Sequence, residues 1–478
     1  MRFPTTFRAI WSPRKDPRLF PPGASRVWQW LVAGLLGALV VAALVPMWDV
    51  WQVNVAGILV NRAVAGPASL SASARKAALD QAMTLMEKAA ARGPFNAAHE
   101  IPIWRTYGAA ASHDPSEHAY TLLYRSRNSG RVDRVGELWL GEVAAALGKW
   151  DEAQAVYERI DVSNLLIDRA EASLQSGKTA QAVQWYDVAY ASLNAAIQRD
   201  QEEALQLDRA GSSPSAIATL MNQSGEKVTS LFRIGRGYLK VGQPAEAVKV
   251  LEQAQNEAKI QSPGAVAEQS LMLALAQALA DTRPQEPVIA AGSLSLFAID
   301  PKTNNYVQAL LRVRLLVVQA VALGKTAPAY VQAGRILVEI GDTNDGLAYL
   351  NTAIRLDARS AEAYLTLSTE YEGLTMLDQA RIVLAKGVKE LPGNVELAAA
   401  FAAVTYKTAA PGDALPALIH AAGMKTRDPY LFADLGDCYL ALGQIDKARE
   451  AYLEGLARSP GAKALISRLA ALPPAGTP

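Results

Sequence analysis

The 478-residue sequence predicts an all-α chain of stacked antiparallel helix pairs, an α-solenoid. Three observations lead there. Apolar residues recur at the 3.6-residue spacing of amphipathic helices along most of residues 70–461. The same order of large and small residues returns at a step of 34 near the C-terminus. The alternation of a half-buried strand is absent. Hydrophobic residues are 50% of the chain and charged residues 19%, enough apolar material for an extended core and too little charge for wholesale disorder.

The repeated unit is clearest in AEAYLTLSTEYEGLTMLDQARIVLAKGVKELP and PYLFADLGDCYLALGQIDKAREAYLEGLARSP. Numbered from Pro429, the second has large residues at positions 4, 7 and 11 (Phe432, Leu435, Tyr439) and small ones at 8, 20 and 27 (Gly436, Ala448, Gly455). Tyr452 follows at 24 and Pro460 at 32. From Ala361 the first gives Tyr364, Leu367, Ser368, Tyr371, Ala380, Leu384, Gly387 and Pro392 at the corresponding positions. Small residues let two helices approach, large ones fill the space between them, and proline ends the second helix. One such pair cannot bury its own apolar faces, so pairs must stack. The pattern resembles the tetratricopeptide repeat (TPR), which implies a right-handed solenoid of helix pairs.

Units at 327 (Tyr330, Gly334, Leu337, Gly341, Leu350, Ala353) and, more weakly, 395 (Ala398, Ala402, Ala414, Leu418, Ala421) complete four in strict register. Similar units start near 228 (Leu231, Gly235, Tyr238, Gly242, Ala247, Leu251), 163 (Leu166, Ala170, Gly177, Ala182, Tyr186) and 134 (Leu140, Gly141, Gly148, Ala153, Tyr157). A degenerate one lies near 101 (Trp104, Tyr107, Gly108, Ala111), and residues 75–94 read as the second helix of a still earlier unit. Their irregular spacing sends surplus residues into longer helices or loops. Residues 190–226 suggest an extended helix followed by a loop or inserted helix, and residues 262–323 hold three helical stretches (265–281, 287–298, 305–323) bounded by prolines. The expected organisation is therefore an irregular N-terminal array over 49–262, an irregular helical junction over 263–326, a regular array over 327–461 and a tail over 462–478.

Residues 27–48 contain no charge over 22 positions, close to the roughly 20 a helix needs to cross the hydrocarbon. Trp28 and Trp30 stand at one end, Trp48 and Trp51 at the other, where indoles favour the interfaces. The run exceeds the h-region of a cleaved signal peptide, and the small-x-small site Ala63-Val64-Ala65 lies far beyond it. A single transmembrane helix contacting the lipid bilayer is expected. Residues 1–26 carry six basic residues and one acid, so the positive-inside rule places this disordered tail in the cytoplasm and the repeats outside, on a bacterial inner membrane. The remainder is left near −4 without a basic stripe, which argues against nucleic acid as a partner.

Candidate chemistry gives way to structural roles. His113, Asp114, Glu117 and His118, with His99 and Glu100 nearby, are ligand types, but the two histidines are five apart and not on one helical face. Asp114-Pro115-Ser116-Glu117 reads better as a helix start with Asp114 as N-cap, Pro115 at N1 and Glu117 at N3. Cys438, the only cysteine, falls inside a helix as a packed thiol and excludes an intrachain disulfide. His420 has no companion ligand nearby in sequence. Gly235, Gly237 and Gly242 follow a helical run and lack the Lys-Ser/Thr of a phosphate loop. No metal or cofactor is expected, and the chain is not expected to be an enzyme.

The TPR resemblance implies a concave groove lined by the first helix of each unit, chiefly at positions 2, 5, 9, 12 and 13. Those positions make Phe232, Arg236, Leu239 and Lys240, with Val331, Arg335, Val338 and Glu339, the candidate partner-binding residues. Apolar residues at position 5 argue against a clamp for a terminal carboxylate. An extended or helical segment of a protein partner fits better. The layout resembles single-pass TPR proteins of bacterial envelopes, which implies a scaffold in envelope, polysaccharide or secretion assembly. A glycan-active or other envelope enzyme with its site in the irregular helical region, or a regulator signalling through residues 1–26, stay open as alternatives.

Overall fold

The computed structural model describes residues 51–66, 70–91, 97–211, 213, 225–261, 265–284, 305–424 and 426–473. The predicted cytoplasmic tail, the transmembrane span 27–48, the helical stretch 287–298 and residues 474–478 lie outside them. All regular structure among the described residues is helical, and the chain divides into two compact units at Val162/Ser163.

Unit 1 contains α1 (51–65), α2 (Ala72–Ala90), α3 (Ala97–His113), α4 (Glu117–Asn128), α5 (Arg134–Ala146) and α6 (Trp150–Ile160). Its core joins Ala56 and Ala63 of α1 to Ala82 and Met86 of α2, Trp104 and Tyr107 of α3, Leu123 of α4 and Leu140 of α5. Helix α1 therefore completes the pair whose second member the sequence placed at 75–94. The start of α4 corrects one expectation. Ser116 is its N-cap, with Oγ accepting from the Ala119 N–H at 3.1 Å, and Glu117 is the first helical residue. Asp114 instead pairs with Lys76 on α2, and Glu117 with Lys149 at 2.9 Å.

Unit 2 is an α-solenoid of first helices α7 (Ser163–Gln175), α9 (Gly225–Lys240), α11 (Ala265–Asp281), α13 (Ala327–Glu339), α15 (Ala361–Gly373), α17 (Val395–Thr408), α19 (Pro429–Ala441) and α21 (Lys463–Ala470). Between them run second helices α8 (Thr179–Arg209), α10 (Pro244–Gln261), α12 (Asn305–Leu323), α14 (Thr343–Leu356), α16 (Leu377–Glu390), α18 (Pro411–Gly423) and α20 (Ile445–Arg458). Each second helix packs on its neighbouring first helices, and first helices also touch one another, so they form a continuous row. The two described helices within the predicted junction, α11 and α12, pair like the others: Gln269 near the start of α11 donates to the carbonyl of Ala320 near the end of α12 at 2.8 Å. The long helix expected after 190 is the 31-residue α8. Residues 463–470, assigned by sequence to the tail, form α21, whose Leu465 is fully buried in the core of the last pair.

Local chemistry explains the pairs. Asp428 caps α19, Oδ1 accepting from the Tyr430 N–H at 2.9 Å, with Pro429 at N1. Within α19, Gly436 lies so close to Tyr452 of α20 that an added Cβ would sit 2.1 Å from ring carbon Cε1. The three glycines of the 228 unit are likewise structural. Gly235 abuts Leu251, Gly237 abuts Tyr186, and Gly242 turns the chain with φ +75°. Cys438 is buried in the same core as Phe432 and Tyr452, and burial pushes its thiol pKa up. That is the environment of an unreactive thiol.

Candidate partner-binding face

The first-helix row of unit 2 is a surface to which neighbouring repeats each contribute a helix. Polar contacts cross between its helices. Arg233 of α9 is bidentate to Glu171 of α7 (Nε–Oε1 3.2 Å, second nitrogen to Oε2 2.9 Å) and reaches Asp168 at 2.7 Å. Ser230 donates to Asn164 Oδ1 at 2.8 Å beside it. Gln277 of α11 donates to Glu339 of α13 at 2.8 Å, and Arg283 just past α11 donates to the Glu339 carbonyl at 3.1 Å. Lys407 of α17 meets Glu372 of α15 at 2.8 Å, and Arg468 of α21 holds Asp437 of α19 at 2.9 and 3.0 Å. Each such partly exposed pair contributes about 0–1 kcal/mol, so the row's stability comes from packing, and the pairs chiefly fix which charges are left over.

The residues singled out by sequence fall into two groups. Arg236, Lys240, Arg335 and Glu339 lie on the accessible side, and Phe232, Leu239 and Val338 are largely covered. The Arg236 guanidinium lies 5.6 Å from the centre of the Phe232 ring, a cation-π arrangement. Val331 is displaced from the expected surface: it is 3% exposed and belongs to the core formed with Leu350, Ala363 and Tyr364. Val338 packs toward Gly346 of its own pair. Glu339 is taken up by Gln277 and Arg283, while among the described residues Arg236, Lys240 and Arg335 form no ion pair. Arg335 does act at a distance on Glu370 of α15, whose carboxyl is pushed up by burial against the pull of that guanidinium.

Sequence reasoning missed the C-terminal part of the row. There Asp434 is pushed up to about 6, first by burial and then by Asp437, with Arg468 and Lys407 opposing. Asp437 also accepts from Tyr452 Oη at 2.6 Å. Acidic residues at positions 6 and 9 of one unit were visible in sequence, but nothing local indicated that α21 would supply Arg468. The histidines are separated in use. His113 Nδ1 lies 3.0 Å from the Ala109 carbonyl, and His118 Nε2 lies 3.4 Å from Glu87.

Sequence profiles of the tetratricopeptide repeat match residues 135–159, 327–360 and 430–461, the α5/α6, α13/α14 and α19/α20 pairs. These three stretches carry tetratricopeptide repeats. No curated protein matches it. Among solved structures, YrrB, described as a TPR protein with an unusual peptide-binding site, shares 18% identity, with 34% of this chain and 84% of that one covered and a TM-score of 0.29. PilF of Pseudomonas aeruginosa shares 16% identity over 52% of this chain and 99% of its own, with a TM-score of 0.33. TTC0263, a thermophilic TPR protein of Thermus thermophilus, shares 22% over 34% and 90%, with a TM-score of 0.25. The TPR fold is that of a repeat scaffold for protein–protein interaction, and on the first-helix face of unit 2 Arg236, Lys240 and Arg335 are exposed cations without an ion-pair partner among the described residues, beside the partly covered ring of Phe232.

Proposed function

We propose that this TPR protein is a non-catalytic scaffold that holds protein partners at a bacterial inner membrane. It takes a segment of the partner on the first-helix face of unit 2, around Phe232, Arg236, Lys240 and Arg335. The observation that carries this reading is the contrast within the row: Arg233, Lys407 and Arg468 are committed to carboxylates of neighbouring helices, whereas Arg236, Lys240 and Arg335 have none as an ion-pair partner among the described residues. Cations that the fold does not use internally fit a partner segment carrying carboxylates, with apolar contacts to Phe232 and Leu239 setting its position. The membrane part rests on sequence: the uncharged run 27–48, its flanking tryptophans and the basic residues before it support a single anchor with the repeats outside the cytoplasm. Envelope, polysaccharide or secretion assembly is the process this layout fits.

The test is crosslinking and affinity purification of the intact membrane protein. It is compared with a version lacking 327–461 and with Arg236→Glu/Arg335→Glu. Capture of an envelope protein should fall roughly tenfold with the charge reversal, the size of effect expected for lost charge complementarity. Capture that is indifferent to both changes would remove the first-helix face from consideration. Protease added outside spheroplasts should digest the repeats; their protection would refute the orientation.

A further inference from the structure

Helix α1 has one side in the core of unit 1 and the other exposed. Ala56 and Ala63 are buried, with Val53, Leu59 and Val60 packed beside them. On the side turned away from that core Trp51 is 52% and Ile58 66% exposed, and Val55 lies between them on the same helical stripe. The stripe continues through Arg62, the only charged residue between 51 and 66, to Ala65, and Asn54 and Asn61 border it. The next helix differs. On α2 the exposed positions include Lys76, Asp80, Gln81, Thr84 and Lys88, the solvated face of an ordinary amphipathic helix. An outward stripe that is apolar in its first two turns and carries its one cation in the third matches a helix at a membrane–water boundary. There the apolar side enters the interface and a long basic side chain reaches back to the headgroups.

Position along the chain decides the occupant. Trp51 and Ile58 together expose on the order of 250 Å², well short of the roughly 800 Å² per partner that a stable interface between separate chains buries. A soluble partner or a second copy of the chain is therefore a poor fit on this stripe alone. A surface to which the helix is already tied needs no such area. The uncharged run 27–48 ends two residues before α1, and Trp48 to Trp51 is at most about 11 Å of chain. With that run as a membrane span, Trp51 is held at interfacial depth, where indoles favour the boundary. Ile58 stands seven residues on, about 10.5 Å along the helix axis. It stays in water if α1 rises along the membrane normal, and it meets the acyl boundary if α1 lies in the membrane plane. The core of unit 1 is on the other side of the helix, so the second arrangement keeps the body of the unit clear of the lipid.

We infer that α1 lies along the extracytoplasmic surface of the bilayer with Trp51, Val55 and Ile58 turned into it, so that unit 1 is seated on the membrane instead of being held off it on a stalk. This seating rests on the single anchor of the proposed function and adds to it a second lipid contact.

Electron paramagnetic resonance of the full-length protein in phosphatidylethanolamine/phosphatidylglycerol vesicles tests it. A nitroxide is attached at Ile58→Cys on α1 or, as the reference, at Ala155→Cys, an exposed position on α6. The parent, whose one thiol is the buried Cys438, sets the background. Oxygen concentrates in lipid and a nickel chelate in water, so the ratio of collision rates with the two reports depth. At position 58 the ratio should be severalfold that at position 155, as a side chain about 5–10 Å into the headgroup and acyl boundary requires. Val55→Asp should bring it down to the reference, and Val55→Leu should leave it high. Retention of the protein in the vesicles through an alkaline carbonate wash is measured first. A protein that washes off has no anchor, which refutes the membrane reading and the seating together. A retained protein with equal ratios at the two positions, or with a ratio unmoved by Val55→Asp, overturns the seating of α1 alone. So does a label at 58 shielded from oxygen and nickel alike, or a ratio that falls as the protein is diluted in lipid, since each assigns the cover to protein.

Discussion

Replacing Gly436 by alanine should open the C-terminal repeat. On an isolated helix the change would help, since alanine exceeds glycine in helix propensity by about 1 kcal/mol. In α19 the new methyl would stand 2.1 Å from Tyr452 Cε1 and 2.6 Å from Cδ1 and Cζ. That ring cannot retreat at low cost. Tyr452 is fully buried, and its hydroxyl donates to Asp437 Oδ1 at 2.6 Å, the carboxylate that also holds Arg468 of α21. Overpacking costs about 1–3 kcal/mol, and losing a hydrogen bond to a charged group costs about 1.5–3 kcal/mol more, so after the propensity gain the pair loses about 1.5–5 kcal/mol, with about 3 kcal/mol in the middle of that range. A solenoid does not unfold as one unit, so a global midpoint would dilute the effect. Hydrogen exchange of α19 and α20 amides in the full-length protein reads it directly, and about 3 kcal/mol corresponds to roughly hundredfold faster exchange. Gly373→Ala is the control: nothing lies within 4 Å of its Cβ site, and it should leave exchange unchanged or slow it slightly. In a Tyr452→Leu background, the cost of Gly436→Ala should shrink toward zero. Exchange in Gly436→Ala as slow as in the parent would refute the packing argument.

Two further substitutions follow from the same repeats. Asp434→Asn should stabilise the C-terminal pairs above neutral pH and not below pH 4: the folded carboxyl titrates near 6 against an ordinary 3.8, so its stabilising neutral form is complete below 3.8 and lost as pH rises through 6. Allowing for partial exposure, exchange at about pH 7.5 should report about 1–2 kcal/mol in favour of the asparagine variant, and an equal difference at about pH 4 would contradict the assignment. Thr375→Gly should stabilise the α15/α16 turn by about 0.5–1 kcal/mol, the difference between the cost of a left-handed β-branched residue and glycine's greater unfolded freedom. Slower exchange around the turn would show it, and faster exchange would refute it.

Thr375 shows how far the repeat was legible. Its φ of 59° occupies unit position 15, which Gly148, Gly177, Gly242, Gly341 and Gly443 fill elsewhere, all with positive φ. The 34-residue register places that turn even where glycine is missing, because helix length and packing fix the backbone. Small residues at positions 8 and 27 were equally readable, since close approach leaves no other choice. What escaped was set by tertiary neighbours. Both Asp114 and Ser116 can cap a helix, and Lys76, 38 residues away on α2, draws the aspartate off. Position 5 does not by itself mark the surface: Phe232 stays partly accessible, whereas Val331 is covered by the next pair through Ala363 and Tyr364. Helix α1 was hidden because its valine-rich sequence continues the apolar run of the predicted span, and its packed face is Ala56 and Ala63, one heptad apart, with Val53, Leu59 and Val60 beside them.

The spacing of the cross-helix contacts bears on which face is used. In the regular array Lys407 and Glu372 are 35 apart, about one repeat, whereas Arg233 and Glu171, and Gln277 and Glu339, are each 62 apart. Nearly a repeat's worth of extra sequence therefore lies between neighbouring first helices, yet they still meet. The surplus goes into second helices and connections. Helices α8, α10 and α12 have 31, 18 and 19 residues, while the first helices from α7 to α19 keep to 13–17. If stacking alone were at stake, both layers could absorb insertions, because each needs only to bury its inner stripe. A first-helix row held near constant length while the other layer grows is what a surface presenting side chains at fixed intervals to an extended ligand requires. That favours Arg236 and Arg335, not the outer faces of α8 or α12, as the centre of the proposed partner contact.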